Sequence, residues 1–122
     1  MKTILAVDDE PDILALEEKI LKREGYEVLT ASDGAQAISL VKTGRNIDLI
    51  LLDVMMPNIN GFEVSEWVRG SGDGKRIPVV FVTAKDDAQS MKEGFSAGGT
   101  VYLTKPFTTT QLAKVVSSLI GK

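Results

Sequence analysis

Asp53 ends a run of four large aliphatics, Leu49-Ile50-Leu51-Leu52, and the turn chemistry of Pro57, Asn58, Asn60 and Gly61 follows it. Three other apolar runs also stop at polar residues. Ile4 to Val7 stops at Asp8-Asp9, Val79 to Val82 at Thr83, and Val101 to Thr104 at Lys105. In one parallel sheet the C-terminal tips of such strands share an edge, where these acids would meet one amine. Three crowded carboxylates repel one another, and without compensation at least one keeps its proton. Mg²⁺ takes hard oxygen ligands and several waters and removes that conflict; Lys105 adds a further positive charge. A carboxylate beside a divalent cation and a lysine is equipped for phosphoryl transfer, which needs an in-line oxygen and positive groups on the equatorial oxygens. Asp53 would be the nucleophile and would carry an aspartyl phosphate. Thr83 offers a hydroxyl to a phosphoryl oxygen, and the small Ala84 leaves room for the group. The plainer alternative is a structural ion-pair network, which gains little from leaving three acids around one amine.

The elements that would bring these tips together alternate along the chain. A first strand, Thr3 to Val7, leads to Pro11, suited to the first turn of a helix. On that helix Ile13, Leu16, Ile20 and Leu21 recur at helical spacing up to Gly25, with Leu14 off the stripe and facing solvent. Glu27 to Ala31 is a second strand with no conspicuous acid at its tip. Ser32-Asp33-Gly34 opens a second helix carrying Ile38 and Val41, closed near Thr43-Gly44. After the central strand, a third helix from about Phe62 to Arg69 carries Val64 and Val68 one turn apart, with Trp67 off that pair as an exposed or half-buried ring. Gly70 to Lys75 is a flexible loop. It lacks the Gly-Lys-Ser/Thr ending of a phosphate-cradling loop, and it follows a helix. Ile77 to Val82 is a fourth strand. Asp87 to Ala97 is a fourth helix, with Met91 and Phe95 one turn apart, broken by Gly98-Gly99. Val101 to Thr104 is a fifth strand, and a last helix beginning near Thr108 buries Leu112, Val115, Val116 and Leu119.

Such alternation specifies an α/β chain with a doubly wound five-stranded parallel sheet and helices on both faces. Strand two, with no polar residue to contribute, suits an edge, so strands one, three, four and five must be neighbours. The flavodoxin-like order 2-1-3-4-5 meets that requirement, with its switch point between strands one and three.

With 122 residues the chain is one domain of common size, and 43% hydrophobic with 25% charged residues is ordinary for a soluble protein. Fourteen basic against 17 acidic residues give net −3, without the basic face that nucleic acid requires, so no direct nucleic-acid partner is expected. The absence of Cys excludes disulfides and thiolate metal sites. The absence of His excludes imidazole general-base catalysis, His-ligated zinc, and a phosphohistidine on this chain. Ile4 to Val7 is too short for a signal peptide or a membrane span, so no membrane association and a cytoplasmic location are expected.

Val7-Asp8-Asp9, Asp53-Val54-Met55-Met56-Pro57 with Gly61, Val82-Thr83-Ala84 and Tyr102-Leu103-Thr104-Lys105-Pro106-Phe107 together resemble the receiver domain of bacterial response regulators. The resemblance is to the chemotaxis-type, single-domain form, and it covers residues 1–122 in the right order. It implies that Asp53 is the phosphoacceptor. It also implies Mg²⁺ held by Asp9, Asp53 and the Met55 carbonyl, with Asp8 helping through water. Lys105 would contact the phosphoryl group, across a Lys-Pro bond that is typically cis in the family. Thr83 and Tyr102 would be the switch pair, reshaping the face formed by the fourth helix, the fifth strand and the last helix. The donor would be a sensor histidine kinase or a histidine phosphotransfer protein, and the receiver of the signal a downstream output protein. The chain would be a regulatory phosphoacceptor, not an enzyme, promoting only its own phosphorylation and dephosphorylation.

Gly98-Gly99-Thr100-Val101 stands where the family often carries acids, and Thr108-Thr109-Thr110 replaces an acid after Lys-Pro-Phe. Both departures fall near the output face and bear on partner identity. Two other chemistries fit less well. An aspartyl-nucleophile phosphatase wants a second acid two residues after the nucleophile, where this chain has Met55. A flavin carrier wants neutral donors in its first loop, where Asp8-Asp9-Glu10 would repel a phosphate.

Overall fold

The computed structural model describes residues 1–72, 77–84, 92 and 101–121. In chain order the elements are β1 (Thr3–Val7), α1 (Pro11–Arg23), β2 (Glu27–Ala31), α2 (Gly34–Lys42), β3 (Leu49–Asp53), α3 (Gly61–Gly70), β4 (Val79–Thr83), β5 (Val101–Thr104) and α4 (Thr109–Ile120). Apart from residue 92, the helix expected from Asp87 to Ala97 lies outside the described residues, as do the Gly98-Gly99-Thr100 stretch and the far end of the loop after α3.

The five strands pair in the order β2-β1-β3-β4-β5, every pair parallel, which is the expected doubly wound sheet. β3 and β4 are buried at all five positions, as near-continuous apolar runs require in a sheet covered on both faces. Strand alternation divides the core in two. Leu5, Val7, Ile50, Leu52 and Phe81 pack toward Ala37 of α2 and Val64 and Val68 of α3. Ile4, Ala6, Leu49, Leu51 and Val82 pack toward Ile20 and Leu21 of α1 and Leu112 and Val116 of α4.

Helix α1 is turned differently from the expected stripe. Leu16 is 43% exposed, whereas Leu14 is half-buried against the core and Glu17 is fully buried. The apolar residues of α1 span more than one stripe, and the inward face runs through positions 14, 17, 20 and 21. Trp67 is half-buried against the α2–α3 side of the core, with the Lys42 ammonium 5.8 Å from its ring centroid.

Helix starts follow local chemistry. Asp33 accepts from the Gln36 N–H, and Asn60–Glu63 and Thr108–Gln111 form reciprocal capping boxes. Thr108, the first of the three threonines after Phe107, therefore serves as a cap. At the opposite end of α4, the Lys2 ammonium donates to the Ile120 carbonyl and the Tyr26 hydroxyl to the Gly121 carbonyl, the latter at 2.7 Å.

Candidate functional site

The site is assembled at the C-terminal edge of the sheet. Asp53 is the last residue of β3, and Asp8 follows β1 with its N–H still donating to the Ala31 carbonyl at 3.2 Å. Lys105 follows β5, its N–H donating to the Thr83 carbonyl at 2.9 Å. Asp8 continues the alternation of Ile4 and Ala6, Asp53 that of Leu49 and Leu51, and Lys105 that of Leu103, which is the side covered by α1 and α4. Thr83 continues the alternation of Phe81, on the side it shares with Tyr102.

One carboxylate oxygen from each of Asp8, Asp9 and Asp53 lies within 4.8 Å of the others. Lys105 Nζ lies 2.8 Å from Asp8 Oδ2, 3.5 Å from Asp53 Oδ1 and 3.5 Å from Glu10 Oε1. Asp8 is wholly buried, and its Oδ1 accepts from the Glu10 N–H at 2.9 Å, so both of its oxygens hold a donor. Burial, followed by the charge of Asp8, pushes the Asp53 carboxyl up to about 7, with Lys105 opposing and Asp9 adding to the rise. Burial alone would lower the Lys105 ammonium. The hydrogen bond to Asp8 and the charges of Asp53, Asp8 and Glu10 outweigh it and hold the group above its ordinary value. Three hard oxygen donors with a surplus of negative charge suit a small divalent cation such as Mg²⁺.

The loop after β3 is held tightly against the strand it leaves. A Cβ on Gly61 would stand 2.3 Å from the Asp53 carbonyl oxygen, so only glycine allows this approach, and the Gly61 N–H donates to the Val54 carbonyl at 3.0 Å. Met55 is exposed, and with Asp9 it lines an opening of about 490 Å³ beside the acids. The Lys105-Pro106 bond is cis, as expected. Thr83 is fully buried, and Tyr102 is half-buried with its ring 6.2 Å from that of Phe81. The acids and Lys105 are thus gathered in one cluster, with Met55 at its mouth. Tyr102 packs against Phe81, two residues before Thr83 on β4.

Two residues of this region are absent from the sequence expectation. Glu10 reaches Lys105 from the loop after β1. Glu17, on the inward face of α1, is 1% exposed, and neither of its carboxylate oxygens has a hydrogen-bond partner among the described residues. Burial first, then the charges of Asp8 and Asp53, push it up to about 9 against the pull of Lys105. The signal for Glu17 was its spacing, three residues after Leu14 and three before Ile20.

Comparison with known proteins agrees with this geometry. The family model for the response regulator receiver domain matches residues 4–117. The transcriptional regulatory protein YrkP of Bacillus subtilis is 44% identical over 95% of the chain, and the match covers 48% of YrkP. The chain spans about half the length of the curated relatives it matches. Among solved structures, the chemotaxis protein CheY4 of Vibrio cholerae is 34% identical with a TM-score of 0.94, covering 98% of this chain and 99% of that one. The receiver domain of the sensor histidine kinase PA1611 from Pseudomonas aeruginosa, solved with a magnesium ion coordinated in its active-site cleft, is 30% identical with a TM-score of 0.91, covering 99% and 98%. Among the described residues no helix is long and apolar enough to cross a membrane.

Proposed function

The chain belongs to the response regulator receiver domain family, and from that membership we propose that it is a phosphorylation-dependent signalling module of a two-component system. In this proposal Asp53 accepts the phosphoryl group from a sensor histidine kinase or a histidine phosphotransfer protein. The observation that carries it is the cluster of Asp8, Asp9 and Asp53 oxygens within 4.8 Å of one another, with Lys105 Nζ 3.5 Å from Asp53.

An Asp53 oxygen bonds to phosphorus as the bond from phosphorus to the donor's histidine nitrogen breaks, and that nitrogen keeps the electron pair. Asp53 attacks only when ionised. Its burial beside Asp8 opposes ionisation, and Lys105 favours it. Mg²⁺ held by Asp9, Asp53 and the Met55 carbonyl would supply positive charge to the phosphoryl oxygens. Asp8, with both oxygens engaged, suits the outer role of assisting through water. Lys105, tethered by Asp8, contacts the phosphoryl group.

Thr83 then receives a phosphoryl oxygen at its hydroxyl and Tyr102 turns its ring, altering the face made by β5, α4 and the helix expected at Asp87–Ala97. Their shared side of the sheet and the Phe81–Tyr102 ring contact support this coupling. A downstream output protein reads the altered face. The chain acts as a regulatory phosphoacceptor that promotes only its own phosphorylation and dephosphorylation, and the proposed compartment is the cytoplasm.

Similarity to the chemotaxis protein CheY4 is the basis for proposing a single-domain, chemotaxis-type form spanning residues 1–122. Relatives about twice as long, named transcriptional regulatory proteins, favour a second form in which this domain is half of a larger regulator. In either form, nucleic-acid contact belongs to the output partner or effector, because this chain carries net −3. Incubation with Mg²⁺ and acetyl phosphate should add one phosphoryl mass to the intact protein, and Asp53→Asn should abolish it. No adduct, or one that survives the substitution, overturns the proposal.

A further inference from the structure

At the opposite edge of the sheet from Asp53, a cavity of about 480 Å³ opens between the C-terminal ends of α2 and α3. Its volume falls in the range of small-molecule sites. The Trp67 indole forms one wall, Ile47 and Ile77 supply apolar surface, and Lys42 and Arg45 contribute two cations. Among the described residues no carboxylate lines it. We propose that this cavity binds an aromatic anion of mononucleotide size, its ring stacked on Trp67 and its charge held by Lys42 and Arg45.

The charges favour an anion because neither cation is strongly committed. Lys42 rests over the Trp67 ring at 5.8 Å and has no carboxylate partner among the described residues. Arg45 pairs with Glu27 at 3.4 Å, but both side chains are about half exposed, and such pairs are weak and easily exchanged. A cationic ligand would meet Lys42 and Arg45, and no opposite charge among the described lining residues. A purely apolar ligand would leave Lys42 beside it without an anion. An indole flanked by an ammonium and a guanidinium matches a planar ring bearing a negative group, since bases stack on aromatic side chains and guanidinium engages phosphate or carboxylate in a fork.

The helix C-termini that border the cavity oppose an anion, but three of their carbonyls are already engaged. Leu40 O accepts from both the N–H and the hydroxyl of Thr43, Val41 O from the Gly44 N–H, and Val68 O from the N–H and hydroxyl of Ser71. The dipole effect also fades within the last turn. The inference is independent of the proposed phosphorylation chemistry, because no residue of the acid cluster lines this cavity.

Trp67 is the only tryptophan in the chain, so its fluorescence reports on the cavity directly. The full chain, in EDTA to keep the acid cluster free of metal, is titrated with adenosine 5′-monophosphate, adenosine and inorganic phosphate. Saturable quenching by the nucleotide, at least about tenfold tighter than by adenosine and absent with phosphate alone, is expected from a site that uses both ring and charge. Lys42→Gln with Arg45→Gln should weaken nucleotide binding about tenfold or more while leaving acetyl-phosphate labelling unchanged, which also shows that the variant folds. The Trp67 indole N–H resonance should shift on saturation. Quenching that stays linear to millimolar nucleotide, equal binding of adenosine, or unaltered binding by the double variant would overturn the site.

Discussion

Lys105 Nζ donates to Asp8 Oδ2 at 2.8 Å, closer than its 3.5 Å approach to Asp53 Oδ1. The buried Asp8 carboxylate anchors the amine, and the acid proposed to react is the less tightly held. Lys105→Met should therefore leave Asp8 buried without its amine, costing about 3 kcal/mol of stability in EDTA. Mg²⁺ should recover part of that loss by neutralising the same acids. Urea unfolding with and without Mg²⁺ measures both effects, and a variant as stable as the parent in EDTA would contradict the anchoring role.

Mg²⁺ itself should stabilise the parent protein. At a hundredfold excess over its Kd a ligand of the folded state adds ~2.7 kcal/mol, or about 10 °C in Tm for a domain of this size. Because Asp53 is pushed up to about 7, Mg²⁺ must displace a proton below that pH, so its affinity should be weaker at pH 6 than at pH 8. Calorimetric titration at the two pH values checks the direction. A midpoint indifferent to Mg²⁺, or affinity that falls as pH rises, would remove the metal assignment.

Glu17 should make the metal-free protein less stable in alkali. Between its ordinary 4.5 and about 9 the folded protein keeps a proton that the unfolded chain has released, so stability falls as pH rises through that window. The slope from this group reaches at most ~1.4 kcal/mol per pH unit. Asp53 adds to the fall between 3.8 and about 7. Glu17→Leu removes a buried acid with no hydrogen-bond partner among the described residues and should stabilise the protein by about 2 kcal/mol at pH 8 while flattening the slope. Denaturation at pH 6 and pH 8.5 in EDTA tests this; a variant destabilised equally at both would show that Glu17 is held by something else.

Gly61→Ala should damage the site from outside it. The added methyl would meet the Asp53 carbonyl at 2.3 Å, so strand tip and loop must separate, at a cost of roughly 1–3 kcal/mol. Acetyl-phosphate labelling should slow even where the variant is fully folded. Normal labelling would mean that the loop yields without disturbing Asp53.

The fold was legible in the sequence because parallel strands align their ends. Once Asp8, Asp53, Thr83 and Lys105 each follow an apolar run, their strands are expected side by side with strand two outside; the order 2-1-3-4-5 itself is taken over from the flavodoxin-like fold and is not fixed by the tips. The two sides of the sheet follow from residue parity, which puts Leu49 and Leu51 on one side and Phe81 on the other. Helix rotation was not legible in α1. Ile13, Leu14, Leu16, Ile20 and Leu21 permit two inward faces, and a pattern that counts acids as solvent-facing chooses the one that excludes Glu17. The resulting error, Leu16 inward and Leu14 outward, hid a buried carboxyl beneath the proposed phosphoacceptor. The closeness of Gly61 to Asp53 was equally hidden, since a glycine in a turn-rich stretch looks like any other turn residue.

The bonds from Lys2 and Tyr26 to the last carbonyls of α4 make residues 2 and 121 spatial neighbours. A short peptide could therefore join them into a ring, and that ring could be reopened in the exposed Thr43–Asn46 turn without breaking a strand pair. Such a circular permutant would keep the carboxylate edge intact while moving both chain ends to the rim of the tryptophan-walled cavity.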